Sequence, residues 1–430
     1  MTAAHGLLHA YTDLRQTQAS GSRTITRGSG VFVFDDEDNE YLEGVGGLWC
    51  TALGWGEEEL VTAATRQLET LSSYHIAAGR ATPPAIELAD RLLDIAPGDF
   101  SRVFFTNSGS EANDTQVKLL WLYNNIRGRP EKKKVISRRN AYHGATIASA
   151  SLGGISGNLE DFDLPLPYVR HVSAPRYWED AERGESEEAY AARCARELED
   201  LILAEGPETV AAFIAEPVIA AGGILPPPRG YFREVQRVLD AHDVRLIVDE
   251  VICGYGRLGE FWGSEHYDLQ PAGLTIAKAM TSGYMPMGAV LIDGDMHAAL
   301  LSECDRIGSF NHGFTFSGHP VAAAVALRTL ELYEERDLVA WVKHLAPIFE
   351  RGLFELAAEA AVHHVRSVGL LGGIELARPA AAELTRRCEE NGLLVRALGA
   401  DTIALCPPLV IDEVELELLF GRLRTSLREI

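Results

Sequence analysis

The chain has 430 residues, 47% hydrophobic and 23% charged, with a formal net charge of -23. That length calls for more than one substructure, and the composition is that of a folded, soluble protein rather than a disordered one. The acidic balance argues against nucleic acid and anionic membrane surfaces as partners, because a phosphate backbone is held by clustered Lys and Arg.

The opening stretch, MTAAHGLLHAYTDLRQ, lacks a basic segment followed by an apolar one, so it does not read as a signal peptide. Residues 31–45, VFVFDDEDNEYLEGV, place apolar stretches around a polar turn and predict a β-hairpin. From about residue 60, helical spacing alternates with short β-rich runs: RVFFT (102–106), KVIS (134–137), AAFIAEPV (211–218), RLIVDEV (245–251), LTIA (274–277) and GAVLI (288–292). Helical stretches such as 191–206 and 230–243 separate them, which predicts an α/β fold with a mostly parallel sheet covered on both faces. The basic run Lys132-Lys133-Lys134 reads as a solvated face before a strand, and the polar stretch 175–190 as a surface excursion. After residue 320, long helical patterns precede VRSVGLLGGIEL and a final helix. The expected division is a large domain over 61–320, with residues 1–60 and 321–430 forming a smaller α+β domain. No run of about 18 apolar residues occurs, so no membrane span is expected. The six cysteines are scattered without C-x-x-C spacing, which argues against a disulfide framework or a zinc site and for a reducing, cytoplasmic setting.

Several polar turns follow the strands, and ligands of open parallel sheets collect beyond the strands' carboxyl ends. TNSGSEAND (106–114) ends a strand and opens a helix, where backbone N–H groups with Ser108 and Ser110 make an anion site; the plain alternative is a capping turn with Ser110 as N-cap. NAYHGAT (140–146) offers Tyr142 as a flat face, or merely as packing. LIVDEVICGYGRLG (246–259) can be read three ways. A nucleotide-hydrolase strand needs a G-x-x-x-x-G-K-[ST] loop, and the chain has no Gly-Lys pair. A dinucleotide fingerprint needs a helix within the glycines, and aromatics with Pro271 follow instead. What survives is Asp249, a buried carboxylate at a strand end that needs a positive or hydrogen-bonding partner, or that caps a loop. Val251, two places on, would project on the same side of an extended chain. GLTIAKAMTSGY (273–284) sets Lys278 among apolar neighbours, where a lysine becomes a usable amine, unless it reaches solvent or an ion pair. FNHGFTFSGHP (310–320) offers Thr315 as a phosphate ligand. Together, an anion site at a helix start, an aromatic platform, a strand-end Asp and a Lys about 30 residues later match the needs of pyridoxal phosphate.

With these residues in view, the chain resembles the class III pyridoxal-phosphate aminotransferases, nearest to the amine:pyruvate branch. The resemblance rests on GLWCTALG, TNSGSEAND, YHGATIASASLGG, AEPVIAAGGILPPPRGYF, LIVDEVICGYGRLGEFWG, TIAKAMTSGYMPMGAV, HGFTFSGHP and LCPPLVI. It implies fold type I, a seven-stranded large domain, a small domain from both chain ends, and a homodimer with the active site at the subunit boundary. It further implies Lys278 as the amine that joins the cofactor, Asp249 at the pyridine nitrogen, and Val251 and Tyr142 on the two ring faces. Gly109 and Ser110 would bind the phosphate, Thr315 would reach it from the neighbouring subunit, and Glu216 would lie on the cofactor's hydroxyl side. Trp49 and Tyr142 would line the substrate pocket. Arg396 would pair with a substrate carboxylate, or be a surface arginine at a strand end. Ala77 and Ala78 stand where many relatives carry bulky aromatics, which implies a larger pocket. The activity so implied is ping-pong transfer of an amino group from an amine or ω-amino acid to a keto acid such as pyruvate. Aminomutase or decarboxylating chemistry on the same scaffold, and a non-catalytic cofactor-binding role, are the alternatives.

Overall fold

The computed structural model describes residues 6–430. Seven strands form the central sheet in the order Phe100–Thr106, Gly288–Asp293, Gly273–Ile276, Arg245–Asp249, Val210–Ala215, Lys134–Arg138 and Val169–Val172. Only Gly288–Asp293 runs antiparallel to its neighbours. All six residues of Val210–Ala215 are buried, which explains its unbroken apolar sequence: helices cover both faces, so alternation has no solvent side to serve. On the covering helix Tyr231–Ala241, the buried residues Tyr231, Phe232, Val235, Val238 and Leu239 recur at helical spacing. Because six strands are parallel, the turns after Thr106, Arg138, Ala215, Asp249 and Ile276 gather along one edge of the sheet.

The chain ends meet in two smaller sheets. The hairpin Phe32–Asp35 and Glu40–Glu43 pairs with Ile25–Ser29 on one side and with Leu393–Leu394, from the far end, on the other. A second sheet joins Val362–Val368, Leu371–Leu376, Thr402–Leu405 and Arg396–Leu398. An apolar cluster of Val45, Trp49, Val218, Ile252, Leu371 and Cys406 packs both ends against turns at the open edge of the central sheet.

Three local expectations are corrected. Val169–Val172 is a strand that the sequence reading passed over, because its middle residues, Arg170 and His171, hide the pattern at a sheet edge. The lysine run is not a solvated face: Lys132 is 5% exposed and its Nζ lies 3.4 Å from Asp243, while Lys133 donates to the Trp121 carbonyl and Lys134 pairs with Glu205. Nor is 175–190 a mere excursion. It holds the short helix Tyr177–Asp180 and the first turn of Glu187–Glu205, anchored by the fully buried Tyr190 against Tyr177. No helix among the described residues is long and apolar enough to cross a membrane.

Candidate active site

Asp249 ends its strand at the open edge and is 3% exposed. Its Oδ2 accepts hydrogen bonds from Asn113 Nδ2 (2.7 Å) and His143 Nδ1 (2.8 Å), and its Oδ1 from the Val251 amide (3.1 Å). A carboxylate is only an acceptor, so the His143 proton sits on Nδ1. The sequence reading missed both Asn113 and His143. Each lies inside a motif it quoted, and Asn113 falls one helical turn after Gly109, on the same face. The sequence predicts that Val251 projects from an extended chain, but it does not. The strand stops at Asp249, and the Asp249–Val251 hydrogen bond closes a turn that carries Val251 to the cavity. There it packs against the helix start: a Cβ on Gly109 would lie 3.0 Å from Val251 Cγ2.

Lys278 follows the strand Gly273–Ile276 in a left-handed backbone conformation, φ 49°. Burial lowers its pKa against the opposing pull of Asp249, which favours a free amine. It lines two cavities. One, of ≈ 340 Å³, is walled by Gly109, Ser110, Tyr142, Glu216, Asp249 and Val251. The other, of ≈ 280 Å³, is walled by Tyr11, Trp49, Tyr142, Ile252 and Arg396. Lys278 therefore stands where the two meet, with its Nζ 5.8 Å from the centre of the Trp49 ring.

The helix Gly109–Ile126 is capped by Ser108, whose Oγ accepts from the Glu111 amide (3.1 Å). Ser110 is not the cap; its Oγ accepts from the Ala145 amide (3.1 Å). The Gly109 and Ser110 amides have no acceptor among the described residues, so the helix start presents free N–H groups to the first cavity. Glu216 is buried, which raises its pKa; its Oε1 accepts from the Tyr142 amide (3.1 Å) and its Oε2 from the Ala220 amide (3.1 Å). The neighbouring carboxylate Glu250 faces elsewhere. It accepts from the amides of Gly263 (3.0 Å) and Ser264 (2.6 Å) and from the Ser264 hydroxyl (2.7 Å), and burial pushes its pKa up to about 7.

Across the second cavity, the Tyr11 and Tyr142 hydroxyls lie 3.2 Å apart, and the Arg396 guanidinium stands 5.9 Å from the Tyr11 ring centre. No carboxylate pairs with Arg396 among the described residues. Trp49 is buried and its Nε1 has no partner among the described residues. Tyr11 was not foreseen, since nothing in its local sequence ties it to residues 131 or more positions away. Thr315 is exposed and lies outside both cavity walls, as do Ala77 and Ala78.

A half-buried amine, a hydrogen-bonded carboxylate and free amides at a helix start, all at the carboxyl edge of a mostly parallel seven-stranded sheet, suit a phosphorylated pyridine cofactor that joins a lysine. The sheet is that of a fold type I pyridoxal-phosphate enzyme. The profile of the aminotransferase class-III family matches residues 15–427, and the chain belongs to that family. It is a pyridoxal-phosphate-dependent aminotransferase. A mitochondrial gamma aminobutyrate transaminase 1 of Solanum lycopersicum is 45% identical over 99% of this chain and 85% of its own length. A mitochondrial gamma-aminobutyrate transaminase 1 of Oryza sativa subsp. japonica is 46% identical over 96% and 82%. An omega transaminase of Pseudomonas jessenii, solved in complex with PMP, superposes with a TM-score of 0.97 at 43% identity, covering 98% of this chain and 96% of that one.

Proposed function

We propose that this aminotransferase moves an amino group from an amine or ω-amino acid to a keto acid such as pyruvate by a ping-pong route. The observation that carries this reading is the pair of cavities meeting at Lys278, one suited to the cofactor and the other offering Arg396 among aromatic walls. Residues 61–320 would form the cofactor-binding domain and the two chain ends the smaller domain. The likeness to gamma-aminobutyrate and omega transaminases supports this reading.

Gly109 and Ser110 would hold the phosphate through their free amides, Val251 and Tyr142 would flank the ring, and Glu216 would lie on its hydroxyl side. Asp249, fixed by Asn113 and His143, would hold the ring nitrogen protonated. When bound, pyridoxal phosphate supplies an electron sink beside the amine-bearing carbon. Lys278, its pKa lowered by burial, would take the proton from that carbon and deliver it one position away. Trp49 and Tyr142 would bound the donor's side chain, and Arg396 would pair with a carboxylate of donor or acceptor. The small Ala77 and Ala78 support room for a larger donor at the completed site.

The active unit in this reading is a homodimer, with Thr315 reaching the neighbouring subunit's phosphate. Its exposure and its absence from its own cavity walls support this. Six free cysteines support a reducing, cytoplasmic setting. The test is a half-reaction screen of single amines and amino acids against the cofactor-loaded protein, followed by a keto-acid chase. Loss of the bound cofactor's absorbance and its return with pyruvate are expected. Turnover that needs no keto acid would overturn the proposal.

A further inference from the structure

The loop that carries Thr315 contains one histidine whose every hydrogen-bonding role can be assigned. His312 Nδ1 lies 2.8 Å from Lys118 Nζ, and its Nε2 lies 3.0 Å from Thr115 Oγ1. The lysine ammonium can only donate, so Nδ1 is bare and accepts. The ring's proton is then on Nε2 and is donated to Thr115, whose hydroxyl donates onward to the Glu111 carbonyl (2.8 Å). Burial and the adjacent Lys118 push the His312 pKa down to about 4, in keeping with that neutral form. The ring stacks on Phe104 at 5.1 Å and meets Phe310 and Phe314 edge-on. Glu111, Thr115 and Lys118 lie along one face of the helix whose first amides face the cofactor cavity. Beneath the loop lies a cavity of ≈ 220 Å³ walled by Lys118, Leu119, Leu300, Cys304, Phe310 and His312. The loop therefore lacks continuous packing under it; besides the contacts of Phe310 and Phe314 with Phe104, His312 supplies its hydrogen bonds to the helix.

All these contacts are within one protomer, yet Thr315, three residues on, is exposed and lines none of these three cavities of that protomer. We infer that His312 is a positioning residue for the active site of the neighbouring subunit: it pins residues 310–317 to its own helix so that Thr315 is presented outward. This rests on the proposal that Thr315 serves the partner's phosphate.

The test measures the rate at which the cofactor leaves the loaded enzyme. His312→Ala is expected to speed release by roughly tenfold or more, since two hydrogen bonds are lost, one of them to a charged group. His312→Gln, which can still accept from Lys118 and donate to Thr115, should recover most of it. In a Thr315→Val background, His312→Ala should add less than about twofold, since the two act through one contact. The decisive sample is a hybrid dimer, isolated through two affinity tags, that pairs a Lys278→Ala subunit with a His312→Ala subunit. Its one lysine-bearing site receives its loop from the Lys278→Ala subunit, so it should release cofactor at the wild-type rate. Release at the His312→Ala rate would overturn the proposal, as would additive effects with Thr315→Val. A wild type that sediments as a monomer would instead overturn the dimer reading beneath it.

Discussion

The two cavities that meet at Lys278 are built in different ways. The side proposed for the cofactor comes from turns at successive ends of one sheet, and its groups are fixed by hydrogen bonds: Asp249 by Asn113 and His143, Glu216 by two amides, Ser110 by Ala145. The side proposed for the substrate is assembled from residues 11, 49, 142 and 396, and its charged group, Arg396, is committed to no carboxylate among the described residues. A reaction common to all substrates needs a rigid half, and a choice among substrates needs a half whose contacts are left free for them.

Mutations on the cofactor side should therefore damage all substrates alike. Lys278→Ala is expected to lower kcat by on the order of 10³-fold or more for every donor, because both proton transfers lose their base. Asp249→Asn should cost about 10²- to 10³-fold in kcat, again regardless of donor, by removing a preorganised charge. Steady-state kinetics over a donor panel would check both, and a donor-dependent loss would break the contrast. Arg396→Ala should behave differently. For carboxylate-bearing substrates KM should rise roughly 10- to 100-fold, while apolar amines change little. Tyr11→Phe removes only the hydroxyl contact with Tyr142, so a shift of roughly two- to fivefold in KM, with kcat held, is expected.

The smallest effect concerns Glu250, which supports the rigid half without facing it. Its pKa is raised from 4.5 to about 7 by burial, so its favourable contribution is full below about pH 4.5 and is lost as pH rises through about 7. Relative to Glu250→Gln, wild-type stability should decline over that interval and level off above it. Thermal melts of both proteins from pH 4 to about 9 would show this, and parallel profiles would count against it.

Legibility in the sequence followed the same division. The cofactor-side motifs could be placed because each sits beside its own strand, and a strand's end fixes where its next few residues go. What failed there was geometric. Ser108 caps the helix instead of Ser110, and Val251 reaches the cavity through a turn rather than along an extended chain. Asn113 and His143 were in plain sight, but a hydrogen bond to Asp249 across 136 and 106 residues leaves no local mark. Tyr11 is the extreme case, because only its hydroxyl's approach to Tyr142 reveals it.

The sequence alone determined the period and order of the elements, the mostly parallel sheet and the family resemblance, and it singled out Lys278 and Asp249 as candidates for the site. Apolar periodicity and strand-end chemistry are local properties, and the chain records them locally. The tertiary structure decided which donors hold Asp249, that Glu250 turns away, that Lys132 is buried against Asp243, and that both chain ends close over the site. Those outcomes depend on burial and on contacts between distant segments, and they exist only once hydrophobic packing has brought the segments together.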